Sequence, residues 1–347
     1  MSNKFPSANK LVAEKYLSLM ASQKAFMPLV ILMLSFNLFA QPPATYVSDK
    51  TAALFKAIRS GSKEELQHQL SNGADVNDSL NSYSALMAAT LSGSLEQMKI
   101  LIDDGANVNH QSDDGTTALW LAVPDYDKAK LLLDHGADPN HKIHGLGILV
   151  KLAAIPGTIS LFHLLIEKGA DLKKMASDNR LMYNAAASAD TSILAFIIRS
   201  GFNVNDSTDF GDYPIIGAEF FRGFSTLKML IDNGANVNVK TSVTFDLGLD
   251  ALKGCTALMF AAVSHDKSSF FYLLEHGADP NAKNKQGYTP LMLLAQSETD
   301  DPEMTLALIK YGARVSEQAP DKTNALHYAS QKGNTQSVEI LKRYSKK

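Results

Sequence analysis

An all-α array of stacked helix–turn–helix units is the fold class this sequence predicts, on three observations. The first is a duplication: LLLDHGADPN at 131–140 returns as YLLEHGADPN at 272–281. The second is a period. Glycines in the same short motif stand at Gly73, Gly105, Gly136, Gly169, Gly201, Gly234, Gly277 and Gly312, spaced 32, 31, 33, 32, 33, 43 and 35 residues apart. The third is composition: 347 residues, 45% hydrophobic and 20% charged, supply a packed core and argue against disorder. A fixed period of this length marks small units that bury their faces against neighbours, not one globular core.

The N-terminal element is of another kind. Residues 26–40, FMPLVILMLSFNLFA, form an apolar run behind Lys24 that ends in small Ala40. A basic flank, a short apolar stretch and a small residue describe a secretory signal peptide over 1–40. The run is shorter than the roughly 20 residues that span a hydrocarbon core. Met20 is an alternative start that gives a compact signal, and an uncleaved anchor or a buried helix is the competing reading. Residues 41–51 are expected to link it to the array, 52–347.

Within the array each unit opens with a short apolar helix, clearest as SALMAATLSG (84–93) and TALMFAAVSH (256–265). A second helix follows, as in LEQMKILIDDG (95–105), with apolar residues at helical spacing. The motif glycine ends that helix in a left-handed conformation that a Cβ disfavours. Thr or Ser at the first helix's start caps free N–H groups. Paired alanines, Ala88 with Ala89 and Ala261 with Ala262, let helices approach closely.

Glycine motif, helix start and period together resemble the ankyrin repeat. The resemblance covers 52–344, with eight units carrying the turn glycine and a ninth, NALHYASQKGNTQSVEILKRY (324–344), closing the array. It implies an all-α solenoid of about nine units joined by short hairpin loops. The departures are local. Unit three is shortened between its helices at AVPDYDKAK, and unit eight is lengthened by acidic SETDDPE (297–303). Units four and five lose the Thr-Pro start. The spacing of 43 places an inserted loop at 239–254, between units six and seven.

Catalytic chemistry finds little support. His135, His141 and His144 lie close in sequence but at no ligand spacing on one helix. Cys255, the lone cysteine, has no histidine beside it, and no nucleophile elbow or phosphate loop is present. No cofactor and no metal are expected, and the chain is not expected to be an enzyme. A formal charge of −3, from 33 basic and 36 acidic residues, gives no field for nucleic acid.

The resemblance implies a non-catalytic scaffold that binds one protein partner through its concave face and loops. It is expected to be monomeric, in the cell envelope or secreted, with no membrane insertion once the signal is cut. An immunity protein or inhibitor that neutralises an exported toxin or enzyme is the alternative; an exported hydrolase is a third class. Candidate contacts are large residues where the repeat usually meets solvent. Phe220, Phe221 and Arg222 end the first helix of unit six, as interface or as core. Trp120 stands in the family's histidine slot of unit three, as contact or as filler of the shortened turn. Phe245 and Leu247 lie on the inserted loop.

Overall fold

The computed structural model describes residues 48–176, 180–209, 211–221, 223–242 and 253–345. The signal segment, Arg222, Phe245 and Leu247 lie outside them. The described chain forms two compact units, one ending at Ala176 and the other starting at Arg180, and each is an array of helix pairs.

The first array pairs α1 (Asp49–Ser60) with α2 (Lys63–Ser71), α3 (Ala85–Ser92) with α4 (Leu95–Asp103), α5 (Ala118–Ala122) with α6 (Tyr126–Asp134), and α7 (Ile148–Ala153) with α8 (Ile159–Glu167). A short α9 (Leu172–Ala176) ends it. Helix α1 begins ahead of the expected array start, with Ser48 accepting a hydrogen bond from the Thr51 amide. Ser62, Ser84, Ser94, Thr117 and Asp125 cap the next helices in the same way. Each cap satisfies an amide that the helix start leaves without a partner. Two units carry real hairpins: β1 (Ser79–Leu80) with β2 (Tyr83–Ser84), and β3 (Lys142–Ile143) with β4 (Leu146–Gly147). Their central residues, Asn81 with Ser82 and His144 with Gly145, all have positive φ, as a two-residue loop matching strand twist requires.

The second array holds α10 (Arg180–Ala187) with α11 (Thr191–Arg199), α12 (Pro214–Phe220) with α13 (Phe224–Asp232), α14 (Ala257–Ser264) with α15 (Lys267–Glu275), α16 (Pro290–Ala295) with α17 (Pro302–Lys310), and α18 (Ala325–Lys332) with α19 (Thr335–Tyr344). First helices pack on first helices and second on second within each array, and the alanines do what their size suggests. Ala88, Ala89, Ala261 and Ala262 are fully buried. Leu54, Leu101 and Leu132 in one array, and Phe270, Leu273 and Leu308 in the other, fill the layer between helix rows.

The motif GAxxN has a second use beyond helix termination. Gly136 has φ 86° and the Ala137 amide reaches back to Leu132 O at 3.0 Å, closing the helix end. The asparagine four residues after each glycine then ties one unit to the next. Asn109 Nδ2 donates to Gly136 O at 2.9 Å, while its Oδ1 accepts from the Asp138 amide at 2.8 Å. Asn77 and Asn140 repeat this bracket in the first array; Asn205, Asn238 and Asn281 repeat it in the second. Lys173 stands where unit four would place its bracket asparagine. Lysine has no acceptor atom, so the bracket chemistry stops there.

Hydrogen bonds join the described ends of the inserted loop and hold the acidic loop to the unit after it. The inserted loop is closed at its base, where the Thr241 amide donates to Cys255 O and the Gly254 amide to Thr241 O. In the acidic loop of unit eight, Asp300 accepts from the Gln336 amide at 2.9 Å, the Ser337 amide at 3.2 Å and Ser337 Oγ at 2.5 Å. The extra residues thus supply the N-terminal cap of α19, whose own N-cap Asn334 makes no side-chain cap bond. Asn334 Nδ2 instead donates to Ala295 O and Ser297 O.

Candidate recognition surface

The sequence singled out Trp120 and the Phe220–Phe221 pair, and the structure treats them differently. Phe220 is 3% exposed. Its ring meets Phe221 edge-on at 5.2 Å and Phe260 of α14 edge-on at 5.9 Å. Of the two readings left open for it, interface or core, burial favours core: Phe220 packs between the first helices of units six and seven. Phe221 is the C-cap of α12 and half-buried.

Trp120 keeps a partly open ring. Helix α5 ends at Ala122, and the next helix is already capped by Asp125. The shortened unit leaves the carbonyls of α5 with few partners of their own. Lys151 of α7 answers that need: its Nζ donates to Trp120 O at 2.7 Å and sits over the Trp120 ring at 4.7 Å. Lys128 makes the corresponding bond to Thr90 O of α3, also at 2.7 Å. A cation at a helix C-terminus is favoured by the helix dipole, and a cation over indole by its quadrupole. Burial still weighs on the Lys151 ammonium, pulling its pKa down to about 8. Nothing in its apolar surroundings, ILVKLA, offers a carboxylate. That lone lysine within an apolar helix was the available sequence signal.

Charge is sorted between the helix rows of the first array. The first helices α1, α3, α5 and α7 carry Lys50, Lys56, Arg59 and Lys151 against Asp49 alone. The second helices α2, α4, α6 and α8 carry seven carboxylates against four lysines. The net charge of −3 for the whole chain conceals this division.

The residues weighed for chemistry are dispersed. His135 Nδ1 bonds Leu131 O within its own helix, His141 Nε2 bonds Gly115 O, and His144 forms a hairpin tip. Among the described residues no group of three His, Cys, Asp or Glu side chains could hold a metal ion. Burial pushes the Cys255 thiol up to about 12, although Asn284 donates to its sulfur, so the reactive thiolate is suppressed.

One constellation escaped the sequence reading. His265 Nε2 lies 2.6 Å from Ser297 Oγ, and its Nδ1 lies 3.8 Å from Asp301 Oδ2. The residue types are those of an acyl-transfer triad, but the roles are taken. Ser297 Oγ accepts from the Thr299 amide, Asp301 caps the Met304 amide and faces Lys267, and 3.8 Å exceeds a hydrogen bond. The group bridges units seven and eight.

Each array thus presents short first helices and, in the first array, hairpin tips, the architecture of a repeat recognition module. Comparison with known proteins gives the family. A model for ankyrin repeats (3 copies) matches residues 45–143, 181–284, 221–319 and 258–347. The chain belongs to the ankyrin-repeat family. Among curated relatives, the B-cell lymphoma 3 protein homolog of Mus musculus is 33% identical over 123 residues, 35% of this chain and 26% of its own length. The ankyrin repeat, SAM and basic leucine zipper domain-containing protein 1 of Dasypus novemcinctus is 26% identical over 136 residues, 39% of this chain and 27% of its own length. A putative ankyrin repeat protein of fowlpox virus is 25% identical over 145 residues, 41% of this chain and 37% of its own length. The chain thus spans well under half the length of these relatives. Among the described residues no helix is long and apolar enough to cross a membrane.

Proposed function

We propose that this chain is a non-catalytic scaffold of the cell envelope or extracellular space that holds one protein partner on its first-helix face and hairpin loops. The observation that carries the reading is the use of side chains. Caps, alanines, turn glycines and bracket asparagines are spent on stacking, and His135, His141, Cys255 and the His265–Ser297 pair are each engaged separately with backbone or a neighbouring unit. A stack built that way offers an extended surface and no convergent reaction centre. The apolar run at 26–40 supports export.

Two measurements test it. Intact-mass analysis of the native protein is expected to give a mature N-terminus at Gln41 in the periplasm or medium; a full-length chain in the cytoplasm overturns the location. Crosslinking in the native cell followed by mass spectrometry is expected to join one protein to first-helix or hairpin residues. Crosslinks confined to the second helices overturn the surface.

A further inference from the structure

Lys151 is an ammonium with three N–H donors, of which one goes to Trp120 O. Among the described residues no carboxylate pairs with it, and its burial is the whole cause of its lowered pKa. Lys168 meets Asp134 at 2.6 Å and Lys332 meets Glu298 at 2.5 Å, whereas Lys128, like Lys151, donates to a helix carbonyl and makes no ion pair among the described residues. Beside Lys151 stands the ring of half-buried Trp120, and half-buried Leu121 follows it in α5. Leu121 and Lys151 each lie four residues past the N-cap of their helices, Thr117 and Gly147, so they hold the same place on neighbouring units. Of the first helices, α3 and α5 carry no charged residue, so Lys151 is the one charge on α3, α5 and α7, and Lys56 and Arg59 lie further along the row on α1.

A half-buried cation with spare donors costs stability unless something answers it. Here it lies over an aromatic ring on the first-helix side of the array. Buried charge pairs and tryptophan are the groups that dominate interface energies.

We infer that Trp120, Leu121 and Lys151 form a docking position for an acidic protein segment, in which an Asp or Glu carboxylate pairs with the Lys151 ammonium while a neighbouring apolar side chain covers the Trp120 ring. The inference rests on the scaffold reading and names the chemistry of its partner. A carboxylate arriving at Lys151 forms a charge-assisted hydrogen bond away from bulk water, where it is strongest.

The chain reports on this site by itself, because Trp120 is its one tryptophan. Short acetylated, amidated peptides of leucine and glutamate are titrated against the whole protein while Trp120 emission is followed. Glutamine counterparts, sodium acetate and inorganic phosphate serve as parallel probes. The glutamate peptide is expected to shift the emission saturably, and the glutamine peptide to bind at least about tenfold more weakly. Lys151→Met is expected to abolish that difference between the peptides, and Lys151→Arg to retain it; circular dichroism confirms that each variant is folded. Equal binding of the two peptides, or an unchanged preference in folded Lys151→Met, overturns the inference. So does an equal shift by acetate or phosphate, which makes the site one for free anions. The two readings fail separately: a crosslinked partner whose affinity is unaltered by Lys151→Met refutes this site while the scaffold stands.

Discussion

Replacing Phe220 by alanine distinguishes a core residue from a contact residue more sharply than any other change in this chain. The side chain is 3% exposed and meets two aromatic rings edge-on. A buried phenylalanine removes about 150–250 Å² from water, which at about 25 cal/mol per Å² is roughly 4–6 kcal/mol. Alanine keeps part of that area, while the cavity left behind adds a cost, so the expected loss is about 3–5 kcal/mol. Phe221→Ala, at the half-buried helix end, is expected to cost about 1 kcal/mol. Urea unfolding of both variants, followed by far-ultraviolet circular dichroism, measures the two losses. A Phe260→Ala, Phe220→Ala cycle then isolates the ring–ring part, about 0.5–1.5 kcal/mol. If Phe220→Ala leaves the midpoint where it was, or costs less than Phe221→Ala, the packing argument is refuted.

Three further outcomes are expected. Asn109→Ala removes the bonds to Gly136 O and from the Asp138 amide and is expected to cost about 1–2 kcal/mol, read from Trp120 emission during urea unfolding. Asp212 has a buried oxygen without a hydrogen bond, and burial raises its pKa to about 6. Because the folded value lies above the unfolded one, the fold is favoured while Asp212 is protonated and loses about 1–3 kcal/mol as pH rises from about 4 through 6. Asp212→Asn is expected to remove that dependence, and urea midpoints at pH 4.5 and pH 7.5 decide it. Asp300→Ala uncaps α19 and is expected to cost about 0.5–2 kcal/mol, visible as faster hydrogen exchange in the last helix.

The repeated features were legible because each is a local steric or hydrogen-bonding demand made again about every 33 residues. A turn glycine at Gly136, a cap at Ser94 and a close-packing alanine at Ala261 state their roles within a few residues. What could not be read lies where one unit departs from the others and a neighbour compensates. Lys151 answers the early end of α5 from another unit, and Asp300 caps a helix over thirty residues ahead. Phe220 sits at a position usually open, and the ring of Phe260 across the helix interface helps to make it core. Unit four shows the same limit from the other side. Its first helix starts at Gly147 with no side-chain cap, and it lies in the stretch between residues 143 and 181 that the family model leaves unmatched.

The asparagine bracket has a consequence for the length of the chain. Asn77 and Asn109 each grip a glycine carbonyl and the amide two residues beyond it, and neither contact depends on which unit supplies them. Joining residue 77 directly to residue 110 excises one whole period and presents Asn77 with Gly136 and Asp138, so the same two bonds close again. A cut of half a period offers no such match. Removal of a whole unit therefore keeps the bracket, and so does an insert looped out between an asparagine and its glycine, as Asn238 shows by closing on Gly277 O and the Asp279 amide across a spacing of 43 residues.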